Sequence, residues 1–247
     1  DWIKCCALAI SNQSDLFRDN EIWESREQEY LATIQKYTAE EAQEFTWMLA
    51  ELAFALEDEI TDVLGEVYMA AGMGNKSTGQ FFTPYNICKL MSEITCDDVN
   101  KQIEEKGYIS VCDSACGAGA TLIATANTMK RSKYNFQNHV LFVGQDIDRI
   151  VGMMCYIQLA LLGCASYICI ANTLSNPMTG STLFLVEGKE QEFWYTPMFY
   201  SDIWTWRRLF QSMGGLGGTA TTEKTVEKEH FYMFFDFDKK EEAYGNR

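Results

Sequence analysis

Three successive strand, turn and helix units, with a helix-patterned stretch of about a hundred residues before them, predict an α/β fold. Its expected form is an open, mostly parallel sheet of the Rossmann-like type with an N-terminal helical layer. Two observations carry this reading. Apolar runs of four to six residues alternate with helical periodicity from Ile109 onward, and each run ends on a carboxylate, a glycine or an amide. The expected division is a helical region over 1–75 and the α/β region over 76–247.

The elements follow in order. Residues 1 to about 38 read as amphipathic helices, with Asp19 or Asn20 placed to cap a second one through Trp23, Arg26, Tyr30, Ile34 and Tyr37. Thr38 followed by Glu41 makes a capping box, and Phe45, Leu49, Leu52, Leu56 and Ile60 recur at helical spacing behind it. Such an aromatic and aliphatic stripe is read as core. Asp62-Val-Leu-Gly carries a further helix toward a glycine-rich loop over Gly72 to Gly79. Thr78-Gly79-Gln80-Phe81-Phe82-Thr83-Pro84 follows, and Pro84 is well placed to start a helix through Ile87, Leu90, Met91 and Ile94.

Ile109 to Cys112 is a buried strand that stops at Asp113. Gly117 and Gly119, separated only by Ala118, allow positive φ and a close backbone approach before a helix restarts over Ala120 to Met129. Val140 to Gly144 is the second strand, tipped by Gln145-Asp146-Ile147-Asp148, and Asp146 lies 27 positions after Gly119. A carboxylate there suits a ribose diol. Ile150 to Leu162 is the next helix. Ser166 to Ala171 is the third strand, tipped by Asn172-Thr173-Leu174, whose amide can pair with an adenine edge.

This pocket is not a good dinucleotide site. The third glycine of the dinucleotide fingerprint is replaced by Leu122, and Asp113 would repel a pyrophosphate. A carboxylate at that place favours a ligand carrying an ammonium, such as S-adenosylmethionine.

Composition narrows the class further. The nine cysteines, among them Cys112, Cys155, Cys164 and Cys169, sit in apolar runs and read as reduced core thiols. With no CxxC pair and only His139 and His230, no metal site is expected. No run of about 18 apolar residues occurs and the opening DWIKCCALAI lacks a cleavable-signal pattern, so a cytoplasmic protein without a membrane span is expected. The formal charge of −15 opposes unaided approach to a nucleic-acid backbone, so a nucleic-acid role calls for a local basic patch or a basic partner.

Asp62-Val-Leu-Gly, TGQFFTP, DSACGAGATL, GQDID and ANTL, in this order and spacing over about residues 40 to 177, resemble the modification subunit of type I restriction systems and related adenine-specific DNA methyltransferases. The resemblance implies an S-adenosylmethionine-dependent methyltransferase fold and methyl transfer to an adenine amino nitrogen flipped out of duplex DNA, with specificity from a partner subunit. A homo- or hetero-oligomer is compatible with it. Carried over residue by residue, Phe82 and Thr83 flank the methionine moiety, and Asp113, Cys116, Gly117 and Gly119 form the cofactor turn. Asp146 holds the ribose, and Asn172 stands where the family often has aspartate.

One part of the pattern is missing. An Asn-Pro-Pro-aromatic signature should follow at a fourth strand's end, but the chain offers Asn176-Pro177-Met178-Thr179 close behind ANTL, and later Tyr195-Thr196-Pro197 without an asparagine. No catalytic residue is assigned, and a methyltransferase-like protein that binds the cofactor without chemistry is the alternative. Phe193 to Phe210 gathers aromatic rings with Arg207 and Arg208; a base-stacking role is weighed there against an aromatic plug on the sheet, and the plug is favoured. Met213 to Thr222 reads as a linker and His230 to Asp238 as a strand.

Overall fold

The sheet at the centre of the protein has four strands in the order β1-β2-β3-β6, the first three parallel and the last antiparallel to β3. The structure, a computed structural model, describes residues 1–15, 20–72, 82–96 and 99–214. Among the described residues, five helices precede the segment that leads into the sheet: α1 (Trp2–Asp15), α2 (Asn20–Ile34), α3 (Ala39–Asp58), α4 (Val63–Ala70) and α5 (Tyr85–Thr95). Then come α6 (Val99–Lys106), β1 (Ile109–Asp113), α7 (Ala120–Arg131), α8 (Phe136–His139), β2 (Val140–Asp146), α9 (Arg149–Leu161) and β3 (Ala165–Ile170). A small hairpin of β4 (Thr179–Gly180) and β5 (Leu185–Val186) leads to β6 (Glu192–Tyr195), a 3-10 turn over Pro197–Tyr200, and α10 (Asp202–Gly214).

Local chemistry sets the helix starts. The capping box at α3 is formed, with the Glu41 amide donating to Thr38 Oγ1 at 3.3 Å and the Thr38 amide donating to Glu41 Oε2 at 2.8 Å. Asp62 caps α4 by accepting from the Gly65 amide, and Asp148 caps α9 by accepting from the Ile150 and Val151 amides. Pro84 precedes α5 directly, where its fixed φ suits the first turn. β1 and β2 run one and two residues beyond their expected ends, so β2 includes Asp146 itself, whereas β3 starts and ends one residue earlier than expected.

Both sheet faces are covered, as a parallel sheet requires. On one face Val111, Phe142, Ile168 and Trp194 meet Leu8, Leu56, Leu122, Met153 and Ile157 from α1, α3, α7 and α9. The helical layer therefore shares one core with the sheet. On the other face Cys112, Leu141, Val143, Tyr167 and Phe193 lie under Leu183, Phe199 and Trp204. Most of the aromatic run is a plug, with Trp194 and Trp204 wholly buried, while Trp206 and Phe210 at its end are exposed.

The arginines of that run hold backbone rather than presenting an open surface. Arg207 donates to the Asn138 and Gly107 carbonyls, and Arg208 donates to the Phe199 carbonyl. The expected strand over His230 to Asp238, and most of the linker before it, lie outside the described residues.

Candidate functional site

Backbone hydrogen bonds draw three strand tips together. The Ala171 amide after β3 donates to the Asp146 carbonyl at 3.0 Å, and the Cys116 amide after β1 donates to the Gln145 carbonyl at 3.0 Å. Thr173 Oγ1 reaches across to the Ser114 carbonyl at 2.5 Å. Glycine turn, acidic tip and amide tip thus form one continuous rim along the carboxyl ends of β1, β2 and β3.

The turn is built on two glycines in left-handed backbone, Gly117 at φ +55° and Gly119 at φ +99°. A Cβ on Gly119 would stand 2.8 Å from Cys155 Sγ and 3.4 Å from its Cα, so α9 passes too close for any side chain. A Cβ on Gly117 would fill the space in front of the Phe82 ring, 3.4 Å away. Phe82 is therefore at the turn although 35 residues separate it from Gly117, and its other side stacks on Tyr68 at 5.6 Å.

Asp146 clamps the turn. Its Oδ2 accepts from the Gly117 amide at 2.9 Å and its Oδ1 from the Asp148 amide at 2.9 Å. Asp113 is held in the same manner: Oδ1 accepts from the Ala115 amide at 3.0 Å and Oδ2 accepts a short bond from Thr121 Oγ1. Burial raises the Asp113 carboxyl above its ordinary value, with the Asp146 charge adding to the rise and the Thr121 and Ala115 bonds opposing it. The Cys116 thiol beneath the turn is pushed far up by its contact with Cys155 and by burial, which leaves it a packing group rather than a nucleophile.

Beside Phe82 opens a cavity of about 580 Å³, lined among others by Asp62, Glu66, Phe82, Thr83, Tyr85 and Lys89. Thr83 is exposed on its rim. Asp62 is buried, and burial raises its carboxyl despite bonds from Gln158 and the Gly65 amide that lower it. The loop before Asp62 is fixed as well, because the Ile60 carbonyl accepts from Tyr85 Oη at 2.6 Å and from Asn127 Nδ2 at 2.8 Å.

The structure brings Phe82, Asp113, Cys116, Gly117, Gly119 and Asp146 together, with Thr83 next to Phe82. Asn172 sits on the same rim, but its side-chain oxygen turns back to accept from the Leu174 and Ser175 amides at 2.9 and 3.2 Å. Only its Nδ2 is left for a ligand edge. Asn176, the nearest match to the missing asparagine, turns its carboxamide to the protein: Nδ2 donates to the Lys189 carbonyl at 2.9 Å and Oδ1 accepts from Gln191 Nε2 at 3.1 Å.

Two buried glutamines escaped the sequence reading. Gln145 Nε2 donates to the Ala171 and Asn176 carbonyls and its Oε1 accepts from the Met178 amide, so it pins the loop after β3. Gln158 links Asp62 to the glycine turn. The available signal was a lone amide inside the apolar run Ile150 to Leu162.

An open, mostly parallel sheet with a glycine turn after its first strand and a carboxylate tipping the second defines a Rossmann-like α/β protein. More particularly, the chain belongs to the N-6 DNA methylase family, whose model matches residues 59–209. It is similar to the type I restriction enzyme MpnII methylase subunit of Mycoplasma pneumoniae, 29% identical over 111 residues, which cover 42% of this chain and 19% of that subunit. The chain thus spans about a fifth of that relative's length. Among solved structures, it matches the type I restriction-modification methyltransferase subunit from Streptococcus thermophilus with a TM-score of 0.33 and 23% identity, over 48% of this chain and 24% of that one. It also matches a protein from Listeria monocytogenes described as a class I S-adenosylmethionine-dependent methyltransferase, with a TM-score of 0.38 and 13% identity, over 85% and 72% of the two chains. Among the described residues no helix is long and apolar enough to cross a membrane.

Proposed function

We propose that this chain binds S-adenosylmethionine along the β1-β2-β3 rim and serves adenine N6 methylation of duplex DNA, with DNA specificity supplied by a partner subunit. The observation that carries the reading is the Gly117 amide bonded to Asp146 Oδ2, which joins the glycine turn and the acidic tip into one cradle. The residues present fit such a ligand, since Gly117 leaves its backbone bare against the Phe82 ring, where a Cβ would stand 3.4 Å from the ring.

In this reading Phe82 and Thr83 flank the methionine portion, and Gly117 and Gly119 let backbone approach it with Cys116 packed beneath. Asp113 keeps the turn in shape through Ala115 and Thr121. Asp146 offers its remaining lone pairs to the ribose hydroxyls, and Asn172 offers Nδ2 to the adenine edge. When bound, the cofactor supplies a methyl group made electrophilic by its sulfonium. The chain's own contribution is to hold the donor rigidly at the rim and to keep a carboxylate near its ammonium. With a net charge of −15, a basic partner would carry the phosphate contacts. A cytoplasmic protein working in a homo- or hetero-oligomer is consistent with this role.

A second reading has its own observation. Asn176 turns both atoms of its carboxamide to the protein, Nδ2 to Lys189 and Oδ1 to Gln191, rather than toward a methyl acceptor. This favours a cofactor-binding, methyltransferase-like protein whose chemistry is impaired. Calorimetry with S-adenosylmethionine tests the part common to both readings, and the absence of binding defeats both. Labelled cofactor incubated with duplex DNA and candidate partner subunits separates them: adenine N6 labelling supports the first, and binding without labelling in any combination supports the second.

A further inference from the structure

The geometry points to Gln158 as a positioning residue that sets the spacing between the Asp62 loop and the glycine turn, so that the two sides of the ligand cradle move as one. Gln158 is fully buried in α9, and its carboxamide makes three bonds to two separate segments. Nε2 donates to Asp62 Oδ1 at 2.8 Å and to the Ala118 carbonyl at 2.9 Å, while Oε1 accepts from the Leu64 amide at 3.0 Å. Both amide hydrogens are used. An amide with its donors spent in this way is a fixed spacer, because releasing either bond strands a buried polar group.

The two segments are distant in sequence, so chain connectivity does not keep them in register. Asp62 lies 96 residues before Gln158 in the chain and Ala118 lies 40 before it. Ala118 is the central residue of Gly117-Ala118-Gly119, so its carbonyl reports the turn's conformation directly. On the other side, Asp62 Oδ1 also receives the Gly65 amide at 2.9 Å, and a Cβ on Gly65 would stand 2.0 Å from Asp62 Oδ2. Glycine at position 65 thus lets the carboxylate fold under α4 and meet Gln158. Through this side chain the Asp62-Val-Leu-Gly motif is hydrogen-bonded directly to the glycine turn and forms the second wall of the cradle. Glutamate at position 158 would lack both donors, and an aliphatic side chain would lack all three bonds.

The inference rests on the proposed cofactor site, but its test does not. In the ligand-free protein, Gln158→Met should raise amide exchange at Gly117 and Gly119 at least about tenfold, while Val143 and Ile168 in the sheet core stay protected. Where the protein binds S-adenosylmethionine, the same change should weaken binding roughly tenfold, the loss of about one buried hydrogen bond. The pair Gln158→Met and Asp62→Ala should be non-additive in that affinity, which a purely global loss of stability would not produce. Should Gln158→Met not fold, Gln158→Glu serves, since it keeps the acceptor for Leu64 and loses the donors to Asp62 and Ala118. Unchanged exchange at the turn, or strict additivity, overturns the proposal. If the wild-type chain does not bind the cofactor while the turn still loosens, the cofactor reading falls and the role of Gln158 stands.

Discussion

Replacing Asp146 with alanine removes the clamp of the cradle, and its effect can be worked from the bonds it makes. The carboxylate accepts two backbone amides, Gly117 and Asp148, both at 2.9 Å, and it is half-buried. Hydrogen bonds to a charged acceptor are worth roughly 1.5–3 kcal/mol each when protected, and half-exposure puts these two at the lower end or below it. Asp146→Ala should therefore cost about 1–3 kcal/mol of stability. For a chain of this size that is a melting-temperature drop of roughly 2–12 °C, so the variant remains folded for assay.

Cofactor affinity should fall more than stability alone accounts for, because the ribose grip and the Gly117 geometry go together. Loss of a charge-assisted grip on two hydroxyls corresponds to about 1.5–3 kcal/mol, or roughly a ten- to 150-fold rise in dissociation constant. Calorimetry at a temperature well below the melting point of both proteins reads this directly. Asp146→Asn refines it, since an amide can accept from only one of the two backbone donors. An unchanged dissociation constant for Asp146→Ala would remove Asp146 from the site and refute the account of the rim.

Three other outcomes are expected. Gly119→Ala combines left-handed backbone with a Cβ 2.8 Å from Cys155 Sγ, and should lower stability by about 2–4 kcal/mol in a chemical denaturation curve; an effect under about 1 kcal/mol would mean that α9 yields easily. For Asp62, a carboxyl raised by burial is favoured neutral in the fold, so its contribution to stability is greatest below the ordinary carboxylate value and declines as pH rises through the raised one. Asp62→Asn keeps the Oδ1 acceptor for both Gly65 and Gln158, and should therefore gain on the wild type in melting temperature as pH goes from about 4 to 8; a pH-independent difference contradicts the raised value. Asn176→Ala should leave cofactor affinity unchanged, because that side chain serves Lys189 and Gln191, and a large loss would place Asn176 in the site.

Much of this architecture is legible in the chain because its signals are local. Apolar runs of β-branched residues, a glycine turn and a capping box each act over fewer than ten positions, and β1, β2, β3 and α3 fall within two residues of their expected bounds. Strand β6 is less legible. Glu192 to Tyr195 is short, and Phe193 and Trp194 are buried on opposite faces, so burial alternation is lost and the run reads as an aromatic cluster. Its antiparallel seat on β3, with Ile168 opposite Trp194, depends on partners 26 residues away. The side-chain network of the site is the least legible part. Nothing near Gln158 says that it will meet Asp62, and nothing near Asn172 says that its oxygen will turn back onto Leu174 rather than outward.

Leu122 is a single departure that bears on the proposed ligand class. In a dinucleotide site the corresponding glycine lets the helix press onto the strand and aims its N-terminus at a pyrophosphate. Here Leu122 is wholly buried in the core shared with α9, so the start of α7 is wedged on a side chain rather than on bare backbone. The hydroxyl of Thr121, one residue earlier, is tied to Asp113 rather than open to an incoming phosphate. Asp113, raised by burial and by Asp146, gains from a cationic neighbour and loses from an anionic one. Helix packing and the sign of the charge thus both disfavour a diphosphate at the rim, and the charge supports the proposed ligand with an ammonium beside its adenosine.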